Sequence, residues 1–295
     1  MLKKTLFFSN SLYLSLKNNQ MVINTRQMPE EKRTIPIEDI GFVILENQQI
    51  TITIPLLNAL ADNNVAVIFC DNECMPNSML QVLEGNTTQA ERYKLQLNAS
   101  EPLKKGLWKQ IVEAKIKNQA ALLDKLGKNS KILKPLYSNV KSGDSDNREG
   151  IAAKLYWCEL FGNTFIRQRE GTSPNNLLNY GYTLLRAGVT RALMGSGLFP
   201  AFGLFHKNRY NAFPLSDDIM EAYRPYVDEI VYELYTNGIN ELTKDAKVKL
   251  LSLFFTDVIF EKNKKPLEIG LTTTSASLVK CFSGKQKKII YPKLE

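Results

Sequence analysis

A single histidine, four cysteines and two tryptophans in 295 residues leave several classes of protein without their working parts. The cysteines, Cys70, Cys74, Cys158 and Cys281, are too few and too scattered for a disulfide framework, which points to a reducing, cytoplasmic setting. Cys70 and Cys74 lie close together, yet no second pair follows at zinc spacing and the one histidine, His206, is remote in sequence, so the thiols read as ordinary buried groups. No run of about 20 apolar residues is available to cross a membrane. Leu6-Phe7-Phe8 behind Lys3-Lys4 imitates a signal peptide, but Ser9, Asn10 and Ser11 interrupt it and no small-residue cleavage site follows, so the segment reads as a strand. A Walker phosphate loop, a dinucleotide fingerprint and a nucleophile elbow are missing too, which removes support for nucleotide-driven and serine-hydrolase chemistry.

What is present is a folded composition, 44% hydrophobic and 23% charged, of a length for about two domains at roughly 100 to 200 residues each. Lysine and arginine number 38 against 30 acids, a net charge of +8 that calls for a polyanionic partner, nucleic acid before anionic membrane.

From Thr5 to about Asp71 the pattern is short and alternating. Leu12, Leu14 and Leu16 face one way, Lys17-Asn18-Asn19-Gln20 turns the chain, and Met21 and Ile23 resume the alternation. Thr34 to Ile37, Gly41 to Leu45 and Ile50 to Ile54 continue the series, and Pro55 opens a short helix over Leu56 to Leu60. Val65 to Phe69 is an apolar run suited to a strand buried on both faces. Residues 1–75 therefore read as a small antiparallel, β-sandwich-like domain. The stretch 76–88, with Pro76, Asn77 and Gly85, lacks periodicity and reads as a linker. Beyond it, six segments carry apolar residues at helical spacing: 89–97, 107–126, 149–161, 177–194, 219–235 and 246–258. They predict a larger all-α domain over 89–295, hence an α+β class, with the fifth helix kinked or split at Pro225. The tail 261–295 holds eight lysines against three acids and reads as a solvated, partly flexible end, with a polyanion contact as the alternative.

Three places could carry chemistry. Asp146 and Glu149 have the spacing of a capping box at the start of a helix, although a carboxylate in a first turn is also held firmly enough to ligate a metal. His206 lies in the loop Gly203-Leu204-Phe205-His206-Lys207-Asn208-Arg209, where it either bonds backbone or serves a site between two cations. Asp217, Asp218 and Glu221 open the next helix, where acids complement the helix dipole, and the offsets place Glu221 on a face shared with both aspartates. One histidine and several carboxylates suit magnesium or manganese better than a thiolate-seeking metal, and such an ion suits phosphodiester chemistry.

Several motifs in order resemble one family. Gly143-Asp144-Ser145-Asp146-Asn147-Arg148-Glu149-Gly150, Asn179-Tyr180-Gly181-Tyr182-Thr183-Leu184-Leu185-Arg186, the glycine-proline-glycine approach from Gly197 to His206, and Asn211 to Glu221 followed by Arg224-Pro225 and Asp228 resemble blocks of the CRISPR-associated endonuclease and integrase. This is the larger member of the universal spacer-acquisition pair, and the resemblance is strongest to type II systems. It implies that residues 1–75 form a dimerisation domain, that the protein is a homodimer, and that a small partner protein bridges two such dimers. It implies further that Glu149, His206 and Glu221 are the catalytic residues and ligate Mg2+ or Mn2+, that Asp218 is an accessory acid, and that Lys207 and Arg209 contact DNA, with Arg167, Arg169 and Arg224 as further candidates. The implied reaction joins the 3′-hydroxyl ends of a double-stranded prespacer to the leader-repeat boundary by phosphoryl transfer, with hydrolysis as its nuclease counterpart. The alternatives are a non-catalytic DNA-binding scaffold and a freestanding metal-dependent nuclease or transposon-type integrase.

Overall fold

The asparagine pair in the first polar turn sets the first hairpin. Asn18 and Asn19 both take positive φ, 50° and 55°, the backbone that a two-residue turn between twisted antiparallel strands requires. They join β2 (Leu12–Lys17) to β3 (Gln20–Thr25), with Lys17 opposite Gln20. Around them the computed structural model describes residues 3–25, 32–82, 84–206, 208–261 and 263–295, and the chain divides into two compact units, Met1–Gly85 and Asn86–Glu295.

The first unit also contains β1 (Lys4–Phe8), β4 (Lys32–Pro36), β5 (Ile40–Leu45), β6 (Thr51–Ile52), α1 (Ile54–Asp62), β7 (Ala66–Cys70) and β8 (Pro76–Met79). Two four-stranded sheets result, ordered β1-β5-β7-β8 and β4-β3-β2-β6. Their core gathers Leu14, Met21, Val43 and Val67 with Leu56 and Leu60 of α1. Where alternation alone predicts antiparallel pairing, three of the six pairings among the described residues, β1 with β5, β5 with β7 and β2 with β6, are parallel. The reason is connectivity. Parallel neighbours need a crossover, and α1 provides it between β5 and β7, which accounts for the uninterrupted apolar run in β7. The division between units falls inside the stretch read as a linker, but the start of that stretch is the edge strand β8, paired antiparallel to β7.

The second unit is built of α2 (Gln89–Leu97), α3 (Glu101–Lys125), α4 (Lys134–Ser138), α5 (Arg148–Phe161), α6 (Asn175–Gly195), α7 (Pro214–Met220), α8 (Arg224–Thr236), α9 (Lys244–Leu251), a hairpin of β9 (Asp257–Phe260) and β10 (Asn263–Pro266), and α10 (Leu267–Phe282). Pro225 stands in the first turn of α8, where its missing N–H is no loss, so the predicted 219–235 helix is split by a short 3-10 turn, Glu221–Tyr223. The helix expected over 246–258 stops at Leu251, and Val258 and Ile259 turn to the strand pairing that β-branched residues favour. The basic tail is not a solvated end. α10 buries Leu267, Leu271, Leu278 and Cys281, and beyond it Leu294 N–H donates to Asn118 of α3 at 3.1 Å and Lys293 N–H donates to Ile259 at 2.8 Å. Its lysines cluster at the ends of a helix whose apolar stripe the charge count had hidden.

α6 is buried over most of its length and has glycines where neighbours come closest. A Cβ at Gly188 would stand 2.5 Å from the Phe254 ring, and one at Gly181 would stand 2.5 Å from a Val227 methyl. Gly188→Ala should therefore lower stability by about 1–3 kcal/mol through overpacking. Gly106→Ala in α3, where nothing lies within 4 Å, should raise it by roughly 0.5–1 kcal/mol. Urea unfolding of the two variants beside the parent protein checks both signs.

Candidate active site

The site is organised by a lysine set inside the apolar stripe of α3. Lys115 lies in a stripe with Ile111, Val112, Ile116 and Gln119, and it is only 6% exposed. A buried ammonium is costly unless paired. Lys115 Nζ meets Glu149 Oε1 and lies 2.5 Å from Glu221 Oε2. Glu221 Oε1 accepts from Arg224 Nε at 2.9 Å. Oε2 makes its ionic contact without a directed hydrogen bond. Burial alone would raise the Glu221 carboxyl, but Arg224 and Lys115 outweigh it and hold it down at about 2. Burial alone would lower Lys115, and the two glutamates reverse that shift.

Glu149 is free to make this contact because it caps nothing. The capping box expected from Asp146 does not form: Asn147 is the N-cap of α5 and accepts from Gly150 N–H at 3.2 Å, while Asp144 accepts from the N–H groups of Arg148 at 2.8 Å and Glu149 at 3.0 Å. Asp146 instead accepts from Arg148 Nε at 2.9 Å. With its backbone held by Asp144, Glu149 turns its side chain toward α3.

Asp218, fully buried, is the organiser of the histidine loop. It accepts from the N–H groups of Leu204 at 2.5 Å, Phe205 at 3.1 Å and His206 at 3.2 Å, and from His206 Nδ1 at 2.7 Å. Because the carboxylate accepts at Nδ1, the lone pair of a neutral imidazole falls on Nε2. Gly203 is required beside it, since a Cβ there would stand 2.8 Å from the His206 carbonyl and 3.0 Å from Asp218. Trp108 stacks on Phe205 at 4.2 Å and meets the His206 ring edge-on. The hydrogen bond to Asp218 raises the His206 pKa, with burial opposing.

Asp217 faces elsewhere, accepting from Arg186 Nε at 2.6 Å and Asn211 Nδ2 at 2.7 Å. Glu149 and Glu221 are thus brought together on Lys115, whereas His206 is turned to Asp218. Among the described residues no three His, Cys, Asp or Glu side chains form a ready metal-binding group. Lys207 lies outside the described residues. Arg209 is exposed, stacks over the Tyr210 ring and lines a cavity of about 350 Å³ with His206 and Lys104. Arg167 donates to Asn179 Oδ1 at 2.6 Å, and both Arg167 and Arg224 lie over the ring of Tyr182.

Four residues around the site, Lys115, Asp228, Tyr156 and Tyr182, carry no role that the sequence assigns. Asp228 accepts from Tyr156 at 2.8 Å and from Tyr182, and all three are buried. Burial pushes the Asp228 carboxyl up to about 6, against the tyrosine hydrogen bonds that lower it. A cavity of about 220 Å³ is lined by Lys115, Glu149, Arg167, Tyr182, Arg224 and Asp228 among others. The one available signal was Lys115 itself, a charge inside an apolar stripe.

Residues 6–257 match the family described as CRISPR associated protein Cas1. The chain belongs to the Cas1 family. It is 41% identical over 263 residues to a CRISPR-associated endonuclease Cas1 from Neisseria meningitidis serogroup C (strain 8013), covering 88% of this chain and 85% of that protein. A Cas1 endonuclease from Francisella tularensis subsp. novicida (strain U112) is 25% identical over 279 residues, covering 84% of each. Among solved structures, a casposase bound to integration product shares the fold with a TM-score of 0.79 at 19% identity, over 98% of this chain and 93% of that one. A chain of a Cas6-RT-Cas1–Cas2 complex gives 0.74 at 20% identity, over 99% of this chain and 36% of that one. The motif blocks that resemble this family from Gly143 to Glu221 all lie inside the matched span.

Asp218→Asn should lower the His206 pKa toward 6.5, because it removes the carboxylate that favours the imidazolium. A folded value raised above the unfolded one gives a stabilisation that is fully present below pH 6.5 and lost as pH rises through the folded value. As the chain has one histidine, an NMR titration of its ring protons reads the shift without assignment.

Proposed function

We propose that this chain is a divalent-metal-dependent DNA endonuclease and integrase of CRISPR adaptation, joining prespacer 3′-hydroxyl ends to the leader-repeat boundary. The observation that carries the reading is the convergence of Glu149 and Glu221, from separate elements, on one buried cationic centre. Two carboxylates gathered around a positive charge, one of them held ionised at full burial, fit a hard, oxygen-preferring cation. Glu149, Glu221 and His206 would hold Mg2+ or Mn2+, His206 through Nε2 once the loop presents it. When bound, the ion polarises a phosphoryl oxygen and lowers the pKa of an attacking hydroxyl.

The protein's own groups supply the rest. Asp218 fixes the tautomer and orientation of His206. Arg167 and Arg224, on the wall of the cavity lined by Glu149 and Glu221, would meet phosphodiester oxygens, and Lys207 and Arg209 would contact the DNA backbone. The 3′-hydroxyl attacks phosphorus and the bridging oxygen of the repeat strand leaves, a transesterification that conserves the number of phosphodiester bonds. Water in place of the hydroxyl gives cleavage. The net charge of +8 suits prespacer and repeat DNA. The N-terminal unit would form the homodimer, and a small Cas2-type partner would join two dimers; a chain of the same fold belongs to a complex named for both Cas1 and Cas2. The setting is cytoplasmic, and among the described residues no helix is long and apolar enough to cross a membrane.

Strand transfer of a duplex with free 3′ ends into a repeat-bearing plasmid tests the reading, with Mg2+ or Mn2+ and with or without the small partner. Glu149→Ala, His206→Ala and Glu221→Ala should each lower joining on the order of 10²-fold or more, the scale seen when one preorganised charge-stabilising group is lost. DNA binding should survive in the folded variants, with Glu149→Ala and Glu221→Ala less stable than the parent because each leaves Lys115 short of a partner. Wild-type protein that binds DNA but joins nothing under either metal would favour a DNA-binding scaffold. Joining that survives the substitutions would place the chemistry on other residues, and joining without any repeat preference would favour a freestanding integrase.

A further inference from the structure

Lys115 stands where a cation bridging Glu149 and Glu221 would stand. Its Nζ touches one oxygen of each carboxylate, and the carboxylates come from elements that share no local sequence. An ammonium and a divalent ion cannot both occupy contact positions between the same two oxygens, because their repulsion at that distance in a buried setting is large. The lysine is also not there by default. A side chain flanked by Ile111, Val112 and Ile116 loses its hydration, and among the described residues Glu149 and Glu221 are the acids that meet it.

We propose that Lys115 is a resident counter-ion of the carboxylate pair, displaced when a divalent cation binds, so that metal occupancy is a competition with the protein's own side chain. This rests on the reading of Glu149 and Glu221 as metal ligands. The displaced ammonium has somewhere to go. It already lines the cavity of about 220 Å³ together with Gln119, whose buried Oε1 has no hydrogen-bond partner among the described residues and offers an acceptor in place of the glutamates. Without metal, the lysine neutralises one buried carboxylate, Glu221, and one half-buried one, Glu149, and ties α3 to α5 and to the turn between α7 and α8. With metal, the same tie passes to the ion.

Calorimetric titration of the full-length protein with Mn2+ in the absence of DNA, together with thermal unfolding with and without Mn2+, tests this. Lys115→Met keeps the length of the stem and removes the charge. It should bind Mn2+ more tightly on the order of tenfold, since removing one partner of a buried pair leaves charge that a cation then compensates. Its unfolding temperature should fall without metal and rise with Mn2+ by more than that of wild type. Lys115→Arg, whose guanidinium can hold both carboxylates at once, should bind Mn2+ more weakly than wild type. A Lys115→Met protein that folds only with Mn2+ would support the proposal, because the ion then substitutes for the ammonium. Mn2+ affinity equal to or below wild type in a folded Lys115→Met protein would overturn it. Should that variant fold under neither condition, Lys115→Gln and Lys115→Arg decide, tighter and weaker binding respectively supporting displacement and equal affinities refuting it. Failure of both wild type and Lys115→Met to bind Mn2+ would refute the ligand assignment itself, a result distinct from unchanged affinity on substitution.

Discussion

A charge buried on the inner face of α3 is the constraint from which the site's geometry follows. An ammonium in an apolar stripe is tolerated only if carboxylates reach it, and the two that do sit in the first turn of α5 and at the joint between α7 and α8. Those acids are therefore fixed by the packing of long helices, not by loops. The joint is the 3-10 turn Glu221–Tyr223, after which α8 begins with Pro225 in its first turn, and Arg224 returns to Glu221. Farther along α8, Asp228 takes the hydroxyls of Tyr156 from α5 and Tyr182 from α6. Ion pairs and hydrogen bonds thus bind together the helices that enclose the cavity.

Two buried carboxylates in this network are tuned in opposite directions, and the difference lies in their partners. Glu221 contacts cations directly and is held at about 2, whereas Asp228 is met by neutral phenol donors and rises to about 6. Burial is nearly complete for both, so desolvation does not separate them. An acid that stays ionised when buried is suited to bind a cation. One that titrates near neutrality behind two tyrosines is suited to hold helices together. The family motif that includes both residues therefore combines two physical tasks in one stretch of α7 and α8.

The order of elements was legible in the sequence wherever a period ran without interruption. The asparagine turn, the apolar β7 and the helices around Gln89–Leu97 and Arg148–Phe161 follow from local pattern alone. What was not legible depended on partners distant in sequence. Parallel pairing of β1 with β5 is a matter of topology, and alternation carries no sign of strand direction. The tail was misjudged because lysines at the ends of α10 dominated the composition while its apolar stripe determined its place. At the site, spacing correctly put Glu149 in a first turn but named the wrong cap, since the capping carboxylate is Asp144, reached through a turn with Asn147 at positive φ. Lys115 was overlooked because lysine in a helix is ordinarily read as solvent-facing.

The contrast between the glutamates and the histidine gives the arrangement its remaining logic. Glu149 and Glu221 are carried on helices, while His206 belongs to a loop whose entire local order depends on one acid, Asp218, that accepts from three consecutive N–H groups and from the ring. An isolated loop histidine would sample many orientations, but here the same carboxylate that holds the loop backbone also holds the imidazole. Gly203 permits this because no side chain would fit between the loop and Asp218. The glutamates are thus set by helix packing and the histidine by a loop, and Asp218, buried on α7 one helical turn before Glu221, links the two parts through the run of chain that carries both acids.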